Sequence, residues 1–413
     1  MNNKLENNEN DNDNDNDIYN YSKIIKIKET LETGKFIESK IDMKLGEIIL
    51  KVQSPMCFSF HKHLVKKICY NCFMNSNDTK NPKFNKYKVD NNKNYIIGCS
   101  GCSLIYFCSD ECFEKVMSKE SFQDSTSTHI HTPLECLILS VFRENQTKSP
   151  NINTLHDQTE NRMIINYLSK IAYSNIGFEK FDSLVLEMNQ LVGGFNQLST
   201  KFFKKEEIEN IKNKSYMLKR LFSKFFFQIG DGIIEELYAK SQRNSFGLWK
   251  NSDECFGLSM YGCQTNINNN NSNNNNEDGS NNKSIINKID KKISVSFFNH
   301  SCFPNCVRVQ ENQSISFYTL IPIKKGDELT ISYIDIRMSL TNRLIHLNEC
   351  YYFECKCKRC TLPSSSTLSL EIENIIQNYI CKNESIKCTG SLYLPPNNQT
   401  QRICNFCKWK ESD

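Results

Sequence analysis

Twenty cysteines among 413 residues give this chain a large supply of metal ligands. Four pairs of cysteines are separated by two residues, at positions 69/72, 99/102, 357/360 and 404/407. Two thiolates at this spacing can bind one tetrahedral ion from a single tight turn, and zinc is the ion that such pairs usually bind. The first chemistry that the sequence indicates is therefore structural metal binding.

The rest of the composition narrows the class of protein. The formal net charge of +4 is close to balance, so nucleic-acid binding is not expected. No run of about eighteen apolar residues occurs, which predicts that no segment spans a membrane. The N-terminus carries Asn and Asp where a signal peptide has basic and apolar residues. We therefore expect a protein of the nucleus, the cytoplasm or both, where a reducing environment favours zinc over disulfides.

A second group of residues that could do chemistry lies in the last third of the chain. Three motifs follow one another there: Asn299-His300-Ser301-Cys302-x-Pro304-Asn305, Gly326-Asp327-Glu328-Leu329-x-Ile331-x-Tyr333, and Cys355-x-Cys357-x2-Cys360. In this order, with Tyr351 before the last motif, they resemble the SET domain and post-SET loop of protein-lysine methyltransferases. The resemblance implies a cleft for S-adenosylmethionine and a substrate lysine.

The resemblance also implies roles for single residues. The two predicted catalytic residues are Tyr333, whose hydroxyl would point at the methyl group, and Tyr351, which would flank the lysine channel. The predicted cofactor-binding residues are Gly34, Lys35, Asn244, Ser296, Phe298, Asn299, His300, Tyr333 and Phe353.

Some of these residues also have an ordinary structural interpretation. The Gly34-Lys35-Phe36 turn keeps only the first glycine of the family's Gly-x-Gly turn, and it could be a plain hairpin turn. Asn244 could cap a helix. His300 and Tyr333 could simply belong to the core.

The cysteines between residues 69 and 136 resemble a MYND zinc finger, whose motif here is Tyr106-Phe107-Cys108-Ser109-x2-Cys112. In such a finger alternate ligand pairs share a metal ion. The resemblance assigns one zinc to Cys69, Cys72, Cys108 and Cys112, and a second zinc to Cys99, Cys102, His131 and Cys136. His129 is an alternative to His131. Four protein ligands leave no open position, so both ions are expected to be structural.

Two further cysteine sets lie after the finger. By resemblance, a third structural zinc would be bound by Cys302, Cys355, Cys357 and Cys360, and would hold the post-SET loop across the active site. The last set looks like a small zinc ribbon, with surface thiols in a frayed tail as the alternative: Cys381, Cys388, Cys404 and Cys407. We expect three structural zinc ions, or four with the C-terminal set.

Hydrophobic periodicity predicts the elements that must position these residues. Short alternating runs between Tyr21 and Phe60 predict two or three strands. Residues 137–245 are predicted to be helical, because 162–173 and 216–227 carry apolar residues at i, i+3, i+4 and i+7. The aromatic residues at 222–227 are predicted to be core.

The predicted fold is α+β, with a SET domain of short strands split by a MYND finger and a helical insert. This is the layout of the SET and MYND domain-containing (SMYD) methyltransferases. The expected boundaries are a disordered acidic tail at 1–20, the first part of the SET domain at 21–66, the finger at 67–136, the helical insert at 137–245, the core SET domain at 246–346 with an Asn-rich loop at 266–283, the post-SET zinc loop at 347–361, and the C-terminal tail at 362–413.

The predicted function is that of an S-adenosylmethionine-dependent lysine N-methyltransferase that acts on histone or other protein lysines. The alternative is a catalytically inactive adaptor whose finger binds proline-rich peptides, and Phe36 in place of a glycine favours it. The joint presence of Asn299, His300, Tyr333, Tyr351 and Phe353 favours the enzyme more, because an adaptor needs none of them together. A zinc hydrolase or deaminase fits poorly, because every metal set is a full cage and no His-x-Glu precedes a Cys-x2-Cys pair.

Overall fold

A computed structural model describes residues 21–30, 34–77, 88–118, 130–148, 159–174, 182–195, 204–249, 254–264, 293–396 and 400–411. The predicted acidic tail, the predicted Asn-rich loop and His129 lie outside these residues. Among the residues described, no helix has both the length and the apolar character that crossing a membrane requires.

The described part of the chain begins with a short helix and four strands, where two or three strands were predicted. They are α1 (Tyr21–Ile24), β1 (Ile25–Thr30), β2 (Gly34–Ser39), β3 (Ile48–Val52) and β4 (Cys57–Phe60). β1 and β2 form an antiparallel pair. All four residues of β4 are buried, so this strand lacks the alternation of apolar and polar residues that reveals a half-buried strand.

The predicted finger is a small hairpin followed by one helix. β5 (Ile97–Gly98) pairs with β6 (Tyr106–Phe107), and α2 (Asp110–Met117) follows. The Ser109 hydroxyl accepts a hydrogen bond from the Cys112 amide at 3.2 Å and so caps α2. The cap fixes the start of the helix between two of the predicted metal ligands.

The region after the finger is helical, as periodicity predicts. Its helices are α3 (Pro133–Lys148), α4 (Thr159–Ser174), α5 (Asp182–Gln190), α6 (Lys205–Ser223) and α7 (Ile233–Asn244). The aromatic run at 222–227 is only partly core, which corrects the prediction. Phe222 is buried, but the helix ends at Ser223 and Phe226 is 98% exposed. Phe226 has φ of +60°, a left-handed conformation that cannot continue the helix.

The remaining strands are short. They are β7 (Phe246–Trp249), β8 (Cys255–Met260), β9 (Cys263–Gln264), β10 (Ile293–Ser294), β11 (Asn299–His300), β12 (Cys306–Glu311), β13 (Ser314–Thr319) and β14 (Thr330–Ile331). One sheet has the order β4-β8-β7 and another the order β12-β13-β3. Both sheets combine a strand before the finger with strands after it. The finger and helices are therefore an insertion into one β-fold.

The C-terminal segment packs on the sheet formed by β12, β13 and β3. Its elements are α8 (Leu340–Tyr351), α9 (Lys358–Thr361), α10 (Thr367–Tyr379), β15 (Leu392–Tyr393) and β16 (Ile403–Cys404). Tyr393 stacks on Tyr318 of β13 with ring centroids 5.1 Å apart, and Ile376 of α10 is fully buried in the same cluster. Helix α10 and strand β15 thus share a core with the strands β12 and β13.

A substitution at Gly46 tests whether the C-terminal segment packs against the turn that contains this glycine. Gly46 has φ of +81°, and a Cβ atom there would lie 2.5 Å from the Leu394 carbonyl oxygen. Gly326 has φ of +96°, but no atom lies within 4 Å of the position that its own Cβ would take. We expect Gly46→Ala to lower the free energy of unfolding by at least about 1 kcal/mol more than Gly326→Ala, because only the first substitution adds a backbone clash to the left-handed strain. Urea denaturation of both variants measures the difference, and equal losses would contradict the close approach of residue 394.

Candidate active site and metal centres

The site is built on a two-residue parallel pairing between remote segments. Asn299 and His300 of β11 pair with Thr330 and Ile331 of β14. The Asn305 side chain holds the two segments together, because its Oδ1 accepts a hydrogen bond from the Thr330 amide and its Nδ2 donates to the Glu328 carbonyl, each at 2.8 Å. The Asn-His-Ser-Cys run is therefore fixed against the segment that leads to Tyr333.

His300 lies between an amide and a sulfur atom. Its Nδ1 accepts a hydrogen bond from the Tyr333 amide at 3.0 Å, which places the ring proton on Nε2. Nε2 lies 3.3 Å from Cys302 Sγ and donates to it. Burial lowers the pKa of His300 to about 4, so the imidazole is neutral at pH 7. We assign it a positioning role and no proton transfer.

Aromatic side chains gather around His300. Its ring centroid lies 5.3 Å from that of Tyr333 and 5.9 Å from that of Phe353. The Tyr333 and Tyr351 rings are 5.2 Å apart. The Tyr333 hydroxyl donates to the Phe298 carbonyl at 2.7 Å, and the Tyr351 hydroxyl donates to the Tyr333 carbonyl at 3.0 Å. Burial raises the pKa of Tyr333, so its phenol stays protonated.

The other predicted cofactor residues border this cluster. Asn299 Nδ2 donates to Glu328 Oε1 at 2.9 Å. Asn244 is the last residue of α7, and its Nδ2 donates to the Val192 and Lys240 carbonyls at 2.7 and 2.8 Å. That side chain therefore ties the end of its helix to a neighbouring loop. The Ser296 hydroxyl reaches the Asn244 carbonyl at 3.5 Å.

Gly34 and Lys35 approach the site from β2. Lys35 Nζ lies 5.3 Å from the Phe297 ring centroid and 3.3 Å from the Gln190 carbonyl. Gly34 has φ of +67°, and no atom lies within 4 Å of the position a Cβ would take. Further along β2, the Ile37 carbonyl accepts a hydrogen bond from the Leu329 amide at 2.8 Å. The predicted turn is thus attached to the segment before Tyr333.

A cleft of about 750 Å³ opens beside the tyrosines. Its walls include four predicted site residues, which are Asn244, Ser296, Tyr333 and Tyr351. The sequence reasoning missed the rest of the lining, which includes Phe246, Trp249, Arg308, Asp335, Gly390, Ser391, Asn405 and Phe406. Several of these belong to the C-terminal segment, and the Phe406 and Trp249 rings stack with centroids 6.2 Å apart. No local sequence signal connects residues 249 and 406, which are 157 positions apart, so the second wall could not be predicted.

Two four-residue sets lie in the finger region, with ligand atoms within 4.8 Å of one another. They are Cys69, Cys72, Cys108 and Cys112, and Cys99, Cys102, His131 and Cys136. Within the second set, His131 presents Nε2 toward Cys102 at 3.6 Å, while its Nδ1 lies 2.9 Å from Glu135 Oε2. A carboxylate behind the imidazole is the usual partner of a metal-binding histidine, since it fixes the ring and its tautomer.

The structure also brings together the third and fourth predicted sets. Cys302 Sγ lies 3.9 Å from Cys355 and 3.5 Å from Cys360, with Cys357 in the same group. The Arg359 guanidinium fastens this loop by donating to the Cys302 carbonyl at 3.2 Å and the Ile336 carbonyl at 2.6 Å.

In the C-terminal set, Cys381 lies 3.6 Å from Cys407, and Cys388 lies 3.6 Å from Cys404. Three of its four cysteines are buried, in contrast to the alternative of surface thiols.

Comparison with known proteins agrees with the motifs. The family model of the SET domain matches residues 28–334, and the chain belongs to the SET domain family. It is 71% identical to a SET domain-containing protein of Dictyostelium discoideum, over 98% of this chain and 99% of that protein. A SET and MYND domain-containing protein of the same organism is 26% identical over 93% of this chain and 95% of its own length.

More distant similarities are partial. The histone-lysine N-methyltransferase ASHR1 of Arabidopsis thaliana is 39% identical over 27% of this chain and 23% of its own length. A solved SET domain of LSMT, bound to lysine and AdoHcy, covers 80% of this chain and 53% of that chain at 13% identity, with a TM-score of 0.28. That score is too low for a comparison of sites. The predicted α+β fold and the predicted SET and MYND family are confirmed.

Asn305 provides a test of the pairing that holds the site. We expect Asn305→Ala to lower the free energy of unfolding by about 2 kcal/mol, because it leaves the Thr330 amide and the Glu328 carbonyl without their partner. Denaturant unfolding measures the loss. The matched control is Asn342→Ala, because Asn342 is exposed on a helix. Asn312 is less suitable as a control, because its φ is positive. Equal stability of both variants would show that Asn305 does not hold the two segments.

Proposed function

We propose that this protein is an S-adenosylmethionine-dependent lysine N-methyltransferase that acts on histone or other protein lysines. One observation carries the proposal: His300, Tyr333, Tyr351 and Phe353, from three separate stretches of chain, lie in ring contact, and the two tyrosines line an open cleft. Membership of the SET domain family, whose relatives include proteins named histone-lysine N-methyltransferases, supports it. We place the activity in the nucleus, the cytoplasm or both.

The chemistry requires a neutral lysine amine. A lysine with a pKa near 10.4 needs about 4.6 kcal/mol to be deprotonated at pH 7. Burial in an apolar channel can lower such a pKa by roughly 3 to 5 units, so no strong base is needed. The Tyr333 and Tyr351 rings supply apolar walls. Their hydroxyl protons are engaged by carbonyl groups, which leaves oxygen lone pairs free to hold the amine in one orientation.

The cofactor would supply, when bound, a sulfonium methyl group. The residues that would hold it are those named above around the cluster, namely Gly34, Lys35, Asn244, Ser296, Phe298, Asn299, His300 and Phe353. Asn299 fits this role, because its Nδ2 donates to Glu328 and its Oδ1 is left to accept from an ammonium group. Phe353 fits it as well, because its ring is only partly buried beside His300.

The four cysteine-rich sets would each hold one structural zinc ion. Tetrahedral coordination with Zn–S bonds of about 2.3 Å places sulfur atoms about 3.8 Å apart. The sulfur–sulfur distances recorded within the sets run from 3.4 Å, between Cys99 and Cys136, to 3.9 Å, between Cys302 and Cys355. The donor geometry therefore suits zinc in all four sets. The third ion would hold the loop that carries Phe353 against Cys302.

The metal proposal predicts about four zinc ions per chain in the purified protein. We expect Cys388→Ser to remove about one of them, because three ligands hold zinc far more weakly than a closed set of four. Elemental analysis by mass spectrometry provides the count. Cys350→Ser is the matched control, since Cys350 is exposed and outside every set. An unchanged zinc count in the Cys388 variant would contradict a fourth ion.

The catalytic proposal predicts that one substitution weakens cofactor binding and that another slows methyl transfer without weakening cofactor binding. Asn299→Ala should weaken the affinity for S-adenosylmethionine by about tenfold or more, since it removes a charge-assisted hydrogen bond. Tyr333→Phe should bind the cofactor normally and transfer methyl groups at least about tenfold more slowly, because the oxygen that orients the amine is lost. Calorimetry gives the affinity, and transfer to a lysine-peptide library gives the rate.

Two exposed positions offer matched controls, Asn342→Ala and Tyr216→Phe. Both should behave like the wild type in both assays. If the wild type binds no S-adenosylmethionine, the enzyme proposal fails. The adaptor, with a finger that binds proline-rich peptides, would then be the better proposal.

A further inference from the structure

The charged side chains that line the cleft differ in whether they have partners among the described residues. Two carboxylates line it, and each already has a cation outside the lining. Glu160 pairs with Lys214 at 3.3 Å, and Asp335 pairs with Arg337 at 2.9 Å. Arg243, also in the lining, donates to the Gly193 carbonyl at 3.0 Å. These charged side chains therefore serve the fold, and none of them requires a ligand.

Arg308 is different. It lies in the middle of β12, between the buried Val307 and Val309, and it lines the cleft. Its guanidinium carbon is 5.5 Å from the centroid of the Phe246 ring. Within the described part of the chain, no hydrogen bond or ion pair satisfies this guanidinium. The groups that act on its charge are Tyr261, Tyr351 and Cys255, which are all neutral at pH 7.

A half-buried cation without a counterion has an energetic cost that an ordinary surface arginine avoids. Burial lowers the pKa of Arg308, yet an arginine remains protonated at neutral pH. The backbone at this position is held firmly. Arg308 pairs with Phe317 across β12 and β13, and its carbonyl accepts a hydrogen bond from Asn405 Nδ2 at 2.8 Å. A guanidinium that lies against an aromatic ring, on a firmly held strand that lines an open cleft, is arranged to receive an anion.

We propose that Arg308 binds a carboxylate of the substrate polypeptide, the side chain of an Asp or Glu close to the target lysine. The position rests on the proposed function, because Arg308 and the lysine-channel residue Tyr351 line the same cleft. A guanidinium presents a planar fork of donors that matches a carboxylate, which a lysine ammonium does not. This site therefore selects acidic sequence around the methylated lysine.

The test measures binding of a lysine-centred peptide library, with amidated C-termini so that every carboxylate is a side chain. The wild type should bind the best Glu-containing peptide about tenfold tighter than the same peptide with Gln. Arg308→Met should remove this preference, Arg308→Lys should retain part of it, and Arg308→Glu should favour basic peptides. Equal binding of the Glu and Gln peptides by the wild type would overturn the proposal, as would an unchanged preference in Arg308→Met.

The peptide pair tests the proposal on the wild type alone, so it stands even if a variant folds poorly. Thermal unfolding of each variant shows which ones are native. Methyl transfer to the preferred peptide is a separate measurement on the same samples. Acidic preference without methyl transfer would reject the proposed enzyme and keep Arg308 as a recognition residue. Methyl transfer without a preference for acidic peptides would support the proposed enzyme and reject Arg308 as a recognition residue.

Discussion

The arrangement depends on a parallel pairing of only two residues on each side, Asn299-His300 with Thr330-Ile331. Parallel strands cannot be joined by a tight turn, so the chain between them must leave and return, here through the β12–β13 hairpin. So short a ladder cannot offset the entropy of closing that loop. Asn305 adds side-chain hydrogen bonds across the junction, and the buried side chains on both sides supply the remaining stabilisation.

The same junction connects the candidate cofactor site to the third cysteine set. His300 accepts from the Tyr333 amide on one side and donates to Cys302 on the other, so a single neutral imidazole spans both. Phe353 lies two residues before Cys355 and contacts the same ring. A change at the cysteine set would therefore reach Tyr333 through one side chain. The segment between α8 and α9, which carries Phe353 and Cys355, is therefore better regarded as part of the site than as a separate lid.

The sequence predicts what is encoded locally. Cys-x2-Cys spacing predicts metal binding, whereas the resemblance to the MYND finger, the post-SET loop and a zinc ribbon predicts which residues share each of the four cysteine-rich sets. The same resemblance, through the order of the motifs, predicts the meeting of Asn299, His300, Tyr333 and Phe353. What it does not predict depends on tertiary context. The sequence does not reveal β4, because a strand buried on both faces does not alternate apolar and polar residues. Arg308 is hidden because an arginine between two valines reads as an ordinary outward-facing strand residue. The cleft wall around Phe406 depends on packing against Trp249, which is 157 positions earlier in the chain.

The glycine replaced by Phe36 is the one feature of the sequence that favours an inactive adaptor. In β2 only Gly34 has a positive φ, so only the first position of the turn requires glycine for its conformation. Side chains alternate along a strand, which places Phe36 on the face of Glu38 and its partners Lys26 and Lys28, opposite Lys35 and the buried Ile37. Lys35 is the residue that reaches Phe297. The larger side chain at position 36 is therefore directed away from the cluster around Ser296 and Phe298, and it gives the adaptor no specific support.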